Sequence, residues 1–128
     1  MKVKGDLSVC GSVQLMYAGT IKYNTTGAST GVKLCDIPAN VIVTKATAVV
    51  KTAFNAGTTN VLTVGTNDDI DNILGSSDIT EGTAGAYTVN KFAEYTTKKA
   101  LKAKFTETGT SASAGEADIY IEVVSIPE

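Results

Sequence analysis

The stretch ALKAKFTETGTSASAGEADIYIEVVSI, residues 100–126, contains two segments in which apolar and polar residues alternate. Alternation with a period of two is typical of a β-strand that buries one face and exposes the other. The residues between the segments, GTSASAG (109–115), are small or polar and predict a hairpin connection. The positions expected to face the core are Leu101, Ala103 and Phe105 in the first segment, and Ala117, Ile119, Ile121 and Val123 in the second.

The same period extends through the centre of the chain. In VIVTKATAVVKTAFN, residues 41–55, the even positions beyond residue 44 are expected to face the core, and VLTVGT, residues 61–66, predicts a further strand. Residues 67–78 break the pattern, and the spacing of Ile70, Ile73 and Leu74 predicts a short helical turn packed on a sheet. About eight short strands without a long helix predict an all-β fold, a single β-sandwich or jelly-roll-like domain.

The N-terminal segment MKVKGDLSVCGSVQL, residues 1–15, keeps the alternation without a break. One unbroken strand of this length would span about 50 Å, whereas a domain of this size has a radius of gyration of about 14 Å. The segment therefore either bends or leaves the domain to contact another chain. We predict an N-terminal β arm at residues 1–18, followed by a β-sandwich domain at residues 19–128.

The apolar face of this arm is the candidate partner-contact site. Glycine inside a strand costs about 0.5–1 kcal/mol relative to alanine, and it tends to mark a bend or the close approach of another backbone. An exposed strand with an apolar face also favours aggregation unless a partner covers it. We therefore expect partner contact; the alternative is a strand that bends at Gly5 or Gly11 and returns to its own sheet. The candidate residues are Val3, Gly5, Leu7, Val9, Gly11, Val13 and Leu15.

The composition disfavours catalysis and nucleic-acid binding. The chain has no His and no Trp, its net charge is −2, and all 11 basic residues are Lys. Without His there is no Ser-His-Asp or Cys-His pair and no imidazole acid–base group, and nucleic-acid readers depend on Arg. No apolar run approaches the roughly 20 residues of a membrane span, and no signal peptide is recognisable. We expect a non-enzymatic protein without a cofactor, small-molecule substrate, nucleic-acid partner or membrane partner.

Three groups of side chains leave alternatives open. Asp68, Asp69 and Asp71 resemble calcium ligands, but the EF-hand positions for Gly and Glu hold Leu74 and Thr80, so we expect a solvated turn without metal. Two cysteines, Cys10 and Cys35, are expected to be reduced thiols. A basic run precedes an acidic tail, and their opposite charges either fix the register of adjacent subunits or cover two ordinary solvated faces. The basic residues are Lys91, Lys98, Lys99, Lys102 and Lys104, and the acidic ones are Glu107, Glu116, Asp118, Glu122 and Glu128.

Two stretches resemble small virion accessory proteins of tailed bacteriophages. GDLSVCGSVQL, residues 5–15, is similar to the G-x-L-x-V-x-G-x-V pattern of phage fibre and spike proteins, in which three chains wrap their strands together. VVKTAFNAGTTNVLTVGTNDDIDNIL, residues 49–74, together with GEADIYIEVV, residues 115–124, is similar to a segment common in small virion proteins of tailed bacteriophages, of the capsid decoration (cement) or head-fibre type.

The resemblance implies a decoration protein that binds the outside of the head shell and stabilises it through subunit contacts. The implied partners are the major capsid protein and copies of the chain itself, as a homotrimer, on the exterior of a virion head assembled in the host cytoplasm. No catalytic, cofactor or metal residues come with it. The alternatives are a tail or fibre component that binds a host receptor, and a carbohydrate-binding β-sandwich module, which the absence of Trp disfavours.

Overall fold

The computed structural model describes residues 13–126, and within them the backbone forms eight β-strands. None of these described residues lies in a helix, and accordingly none belongs to a helix able to cross a membrane. The strands are β1 Val13–Lys22, β2 Val32–Ile37, β3 Val41–Thr52, β4 Thr59–Thr66, β5 Asp69–Leu74, β6 Gly85–Tyr95, β7 Lys99–Thr108 and β8 Glu116–Ser125.

The strands form two antiparallel sheets of four strands each. Sheet A has the order β1-β8-β3-β6, and sheet B has the order β2-β7-β4-β5. The chain passes from one sheet to the other at every connection except the one between β4 and β5. Eight antiparallel strands in two facing sheets, with the chain crossing repeatedly from one sheet to the other, form a jelly roll. The predicted fold class, an all-β sandwich of the jelly-roll type, is confirmed for the described residues.

The inward-facing side chains of β3, β7 and β8 fill the space between the sheets. All seven inward positions predicted for β7 and β8 are buried. In β3 the buried positions are odd up to Val43 and even from Ala46, because an irregularity at Thr44 shifts the register against both neighbouring strands. The prediction that even positions beyond residue 44 face the core is therefore confirmed for Ala46, Ala48 and Val50, whereas Thr52 at the end of β3 is exposed. Each large apolar side chain buried in this way contributes about 1.5–3 kcal/mol.

The predicted hairpin between the last two strands is wrong. β7 pairs with β2 and β4 in sheet B, whereas β8 pairs with β1 and β3 in sheet A. The loop between them crosses from one sheet to the other, and Phe54 and Phe105 pack beneath that end with ring centroids 4.7 Å apart. Alternation identifies which side of a strand is buried, but two strands on opposite walls of one core produce the same pattern as two paired strands.

The helical turn predicted within residues 67–78 is also wrong, because this segment contains β5. Asn67 and Asp68 form a tight turn, and such two-residue connections favour a hairpin. Asn72 stabilises it from the returning strand: its Oδ1 accepts from the Thr66 amide at 3.1 Å, and its Nδ2 donates to Thr66 Oγ1 at 3.0 Å. The Asn72 side chain therefore holds a turn between two strands where the sequence pattern predicted a helical turn.

β1 runs across the boundary that we predicted between arm and domain. Its residues pair with β8 from Val13 to Lys22, with one irregularity between Tyr17 and Gly19. Residues 13–18 thus form part of sheet A, while the predicted arm positions before Val13 lie outside the described residues.

Candidate partner-binding surface

The outer face of sheet A carries a row of apolar side chains at one end. The paired positions Val13 and Val124 lie side by side on β1 and β8, and Val124 is in turn opposite Ile42 on β3. Directly opposite residues of antiparallel strands point to the same face. Because their neighbours Val41, Val43 and Val123 are buried, these three residues point away from the core. A continuous apolar row therefore crosses three strands on the solvent side.

Two further positions of β1 extend this row along the sheet edge. Leu15 is 67% exposed, Val13 60% and Tyr17 57%. Tyr17 lies opposite Tyr120, and their rings pack at a tilt with centroids 5.4 Å apart. The Tyr17 hydroxyl bonds to Thr20, whose Oγ1 donates to Asp118 Oδ1 at 2.6 Å. These contacts connect the tyrosine pair to Asp118 across β1 and β8.

On the opposite edge of sheet A, Phe92 of β6 is 79% exposed. It shares its phase with the exposed residues Asn90 and Glu94, and Glu94 is paired with Ile42. We call the set of outward apolar residues on this sheet the apolar face: Val13, Leu15, Tyr17, Ile42, Phe92, Tyr120 and Val124. The four large apolar side chains that the described residues expose, Val13, Leu15, Tyr17 and Phe92, all lie on this face, and exposed apolar residues concentrated on one face are typical of an interaction site.

The acidic side chains of β8 are compensated within the same face. Lys51 Nζ lies 3.3 Å from Glu116 and 3.5 Å from Asp118. The hydrogen bond to Glu116, followed by the charge of Asp118, raises the pKa of Lys51 above its usual value. Thr44 Oγ1 donates to Glu122 Oε1 at 2.8 Å. The carboxylates therefore have partners and do not form an isolated acidic surface.

The outer face of sheet B differs because the chain covers part of it. A Cβ atom added to Gly65 would meet the carbonyl oxygen of Asp69 and lie 2.7 Å from the amide nitrogen of Asp71. Thr63, on the same side of β4, is only 7% exposed. β5 therefore folds over β4 from outside, and only a residue without a side chain fits at position 65.

The remaining outer face of sheet B is basic. Lys33 lies opposite Lys102 on paired strands, and Lys104 follows on the same side of β7. Lys33 forms an ion pair with Asp36 at 2.9 Å, which lowers the pKa of that carboxyl. The lysines of β7 and the carboxylates of β8 thus occupy opposite outer faces of the sandwich. Whether they fix the register of adjacent subunits stays a prediction.

Of the predicted partner-contact residues, Val13 and Leu15 lie on the apolar face and are exposed. Val3, Gly5, Leu7, Val9 and Gly11 lie outside the described residues. The sequence prediction did not include Ile42, Phe92 or Val124. Val124 could have been predicted, because it is an apolar residue in the outward phase of β8. Phe92 could not, because β6 has aromatic residues in both phases and the pattern does not show which of them faces outward.

Neither the aspartate cluster nor the cysteine forms a catalytic or metal-binding arrangement. Asp68 is paired with Lys99 at 2.6 Å, while Asp69 and Asp71 interact with each other on β5. Within residues 13–126, no three His, Cys, Asp or Glu side chains are grouped closely enough to hold a metal ion. Cys35 is a half-buried free thiol, and burial, then the charge of Asp36, raises its pKa.

The loop-rich end of the sandwich has two shallow clefts on either side of Tyr23. One, of about 340 Å³, is lined by polar residues of the β1–β2 loop together with Phe105, Thr106 and Glu107. The other, of about 390 Å³, includes Thr52 and Gly115. The mixture of one tyrosine with amide, hydroxyl and carboxyl groups suits a polar ligand better than an apolar one.

Comparison with known proteins gives a likeness in fold. The chain matches no protein-family profile, and no curated protein matches it in sequence. A chain of the cyanophage Pam1 capsid asymmetric unit superposes with a TM-score of 0.68 and 18% identity, covering 91% of this chain and 86% of that one. A chain of the acid-stable capsid of Helicobacter pylori bacteriophage KHP30 gives 0.60 and 14%, covering 88% and 92%. For the capsid of Ralstonia phage GP4 the values are 0.52 and 16%, covering 94% and 89%. This chain therefore shares its jelly roll with chains found in three phage capsids.

Proposed function

We propose that the protein is a structural component of a phage virion, a decoration protein that binds the outside of the head shell and stabilises it through subunit contacts. The fold supports this proposal, since the superposition accounts for nearly the whole of the three capsid chains, 86%, 92% and 89% of their lengths. A single jelly roll of this size therefore occurs as a nearly complete component of a capsid.

The apolar face of sheet A is the observation that carries the proposal. It places exposed Val13, Leu15 and Tyr17 on the strand that directly follows the predicted arm. Burial of apolar area at about 25 cal/mol per Å² drives association of protein surfaces, and aromatic residues are enriched at their centres. In this account the face and the arm residues Val3, Gly5, Leu7, Val9 and Gly11 contact capsid subunits and neighbouring copies. Contacts across subunit seams then resist expansion of the shell.

The test measures binding to emptied heads of the phage that carries the gene. Purified wild-type protein is compared with Leu15→Lys, which places a charge in the apolar face, and with Thr106→Lys, a matched control on the outer face of sheet B. We expect Leu15→Lys to weaken binding at least about tenfold, which corresponds to about 1.4 kcal/mol, and Thr106→Lys to bind normally. Heads that bind neither wild type nor control, or an equal loss in both variants, would contradict the proposal.

The clefts beside Tyr23 favour a second candidate function, recognition of a glycan at the loop-rich end of the sandwich. Tyrosine stacks on sugar rings, and the neighbouring Asn24, Ser29 and Glu107 offer hydrogen-bonding groups. This alternative corresponds to a receptor-binding tail or fibre component. A glycan array probed with the full-length protein and with Tyr23→Ala tests it: binding that the substitution abolishes supports it, and a blank array contradicts it.

A further inference from the structure

The two edges of sheet A are not equivalent. At the β1 edge, a Cβ atom added to Gly19 would lie 3.2 Å from Leu34 of β2, so the neighbouring strand of sheet B closes this side of the sandwich. β1 accordingly buries both Ala18 and Ile21. In the described part of the chain, no strand pairs with the far side of either edge, but β6, which pairs only with β3, buries none of its residues fully.

β6 has the properties of an edge strand whose outer side has no pairing strand. It is 11 residues long, and none of its residues is fully buried. Its core-facing side chains Tyr87, Val89 and Tyr95 pack against the core but remain half-exposed. Burial also raises the pKa of Tyr95. A long unpaired edge is a template for another strand, and native proteins usually shorten, charge or cover it.

We propose that β6 accepts residues 1–12 of a second copy of this chain as a fifth strand of sheet A. The donor segment fits in length and pattern, because it precedes β1, matches the length of β6 closely and alternates apolar with polar residues throughout. Val3, Leu7 and Val9 would then cover the half-exposed core beside Tyr87 and Val89, while main-chain pairing supplies the affinity, as in strand addition.

The geometry favours a second copy over the chain's own arm. Residue 13 starts β1, which lies at the opposite edge of sheet A from β6, about 14 Å away across three strand spacings. The arm of the same chain would have to turn across the end of the sheet before pairing. Pairing of two β6 edges with each other is also disfavoured, since a two-fold axis near the strand centre would bring the two Lys91 side chains together.

Donation from one copy to the next is a head-to-tail contact, and such contacts close into a ring when the rotation allows it. A ring of three would satisfy every arm and every β6 edge. This inference rests on the proposed function in that it supplies the self-contact by which a decoration protein would assemble, but it concerns the purified protein alone.

Disulfide trapping tests it with full-length chains. The donor keeps Cys10 and carries Cys35→Ser; the acceptor carries Cys10→Ser, Cys35→Ser and Asn90→Cys on β6. The two are co-expressed with different tags and oxidised. The matched control acceptor replaces Asn90→Cys with Gln14→Cys, an exposed position on the β1 edge. Because the register of the donated strand is open, Thr88→Cys is tested in parallel with Asn90→Cys.

We expect a disulfide-linked heterodimer from the β6 acceptors at a yield at least about five times that of the β1 control. Equal yields from both edges, or no heterodimer from either β6 position, would overturn the inference. A single chain that carries both Cys10 and Asn90→Cys provides the last arm: if it yields only intramolecular disulfide, the arm returns to its own sheet and the exchange is refuted. Head binding without trapping would refute only this inference, and trapping without head binding only the proposed function.

Discussion

The two sheets of this sandwich bury the same kind of inner face but treat their outer faces differently. Sheet B is partly covered by its own β5, which passes over Gly65, and its remaining surface displays Lys33, Lys102 and Lys104. Sheet A is left open and displays Val13, Leu15 and Tyr17 beside Tyr120. A sheet face that is covered by another strand or carries charged side chains needs no partner to stay in solution. An uncovered apolar face favours aggregation unless a partner protein covers it.

The largest expected effect is a difference in unfolding free energy between substitutions on the inner and outer sides of β8. Ile121 is fully buried and lies between Met16 and Ala46, so Ile121→Ala should lower the free energy of unfolding by about 2–5 kcal/mol through lost burial and a cavity. Val124→Ala, on the outer side of the same strand, should change it by only about 0.5 kcal/mol. Urea unfolding of both variants measures the difference, and similar losses would mean that the outer side of sheet A is part of the core.

A smaller loss of stability is expected from a substitution at Gly65, where β5 covers the outer face of β4. In Gly65→Ala the new methyl group meets the backbone of Asp69 and Asp71, which cannot yield without moving β5. We expect a loss of about 1–3 kcal/mol from overpacking. Gly82→Ala is the matched control, because a Cβ atom at position 82 has open space around it. Thermal unfolding that does not distinguish the two substitutions would show that β5 does not lie over β4.

The smallest effect concerns Cys35 on β2 of sheet B. Burial raises its pKa, and the charge of Asp36 raises it further. Less thiolate is therefore present at neutral pH, and alkylation of Cys35 in a Cys10→Ser background should be slower than in the urea-unfolded chain. The rate should rise with pH until the raised pKa is passed. Asp36→Asn should accelerate the alkylation, which mass spectrometry can follow. If Cys35 reacts as fast in the folded protein as in the unfolded chain, its thiol is not in the half-buried, negatively charged environment described above.

The sequence predicted the fold class and the buried sides of the strands because alternation is a local property. It failed where the outcome depends on distant parts of the chain. β7 and β8 have the same pattern whether they pair or face each other across a core, and only the long-range pairing with β2, β4, β1 and β3 decides. The β5 segment is a different case, because its pairing with β4 is local: the spacing of Ile70, Ile73 and Leu74 predicts a helical turn, whereas the segment forms a hairpin with β4.

Two of the seven residues of the apolar face could be predicted from the sequence as partner-contact residues. Val13 and Leu15 were identified because they continue the apolar phase of the N-terminal segment, and both are exposed. Phe92 was not identified, since β6 has an aromatic residue in each phase, Phe92 in one and Tyr95 in the other. Ile42 was missed because it lies before the phase change at Thr44, where the outward positions of β3 are even.

Hydroxyl-radical footprinting of the protein, alone and bound to emptied heads, tests the central claim most directly. Leu15, Tyr17 and Phe92 are the exposed reporters on sheet A, and Leu34 and Ile70 are half-buried references on sheet B. If the apolar face is the binding surface, oxidation of the three reporters should fall severalfold on binding while the references stay unchanged. Unchanged oxidation of Leu15, Tyr17 and Phe92 in head-bound protein, or protection confined to sheet B, would contradict the account.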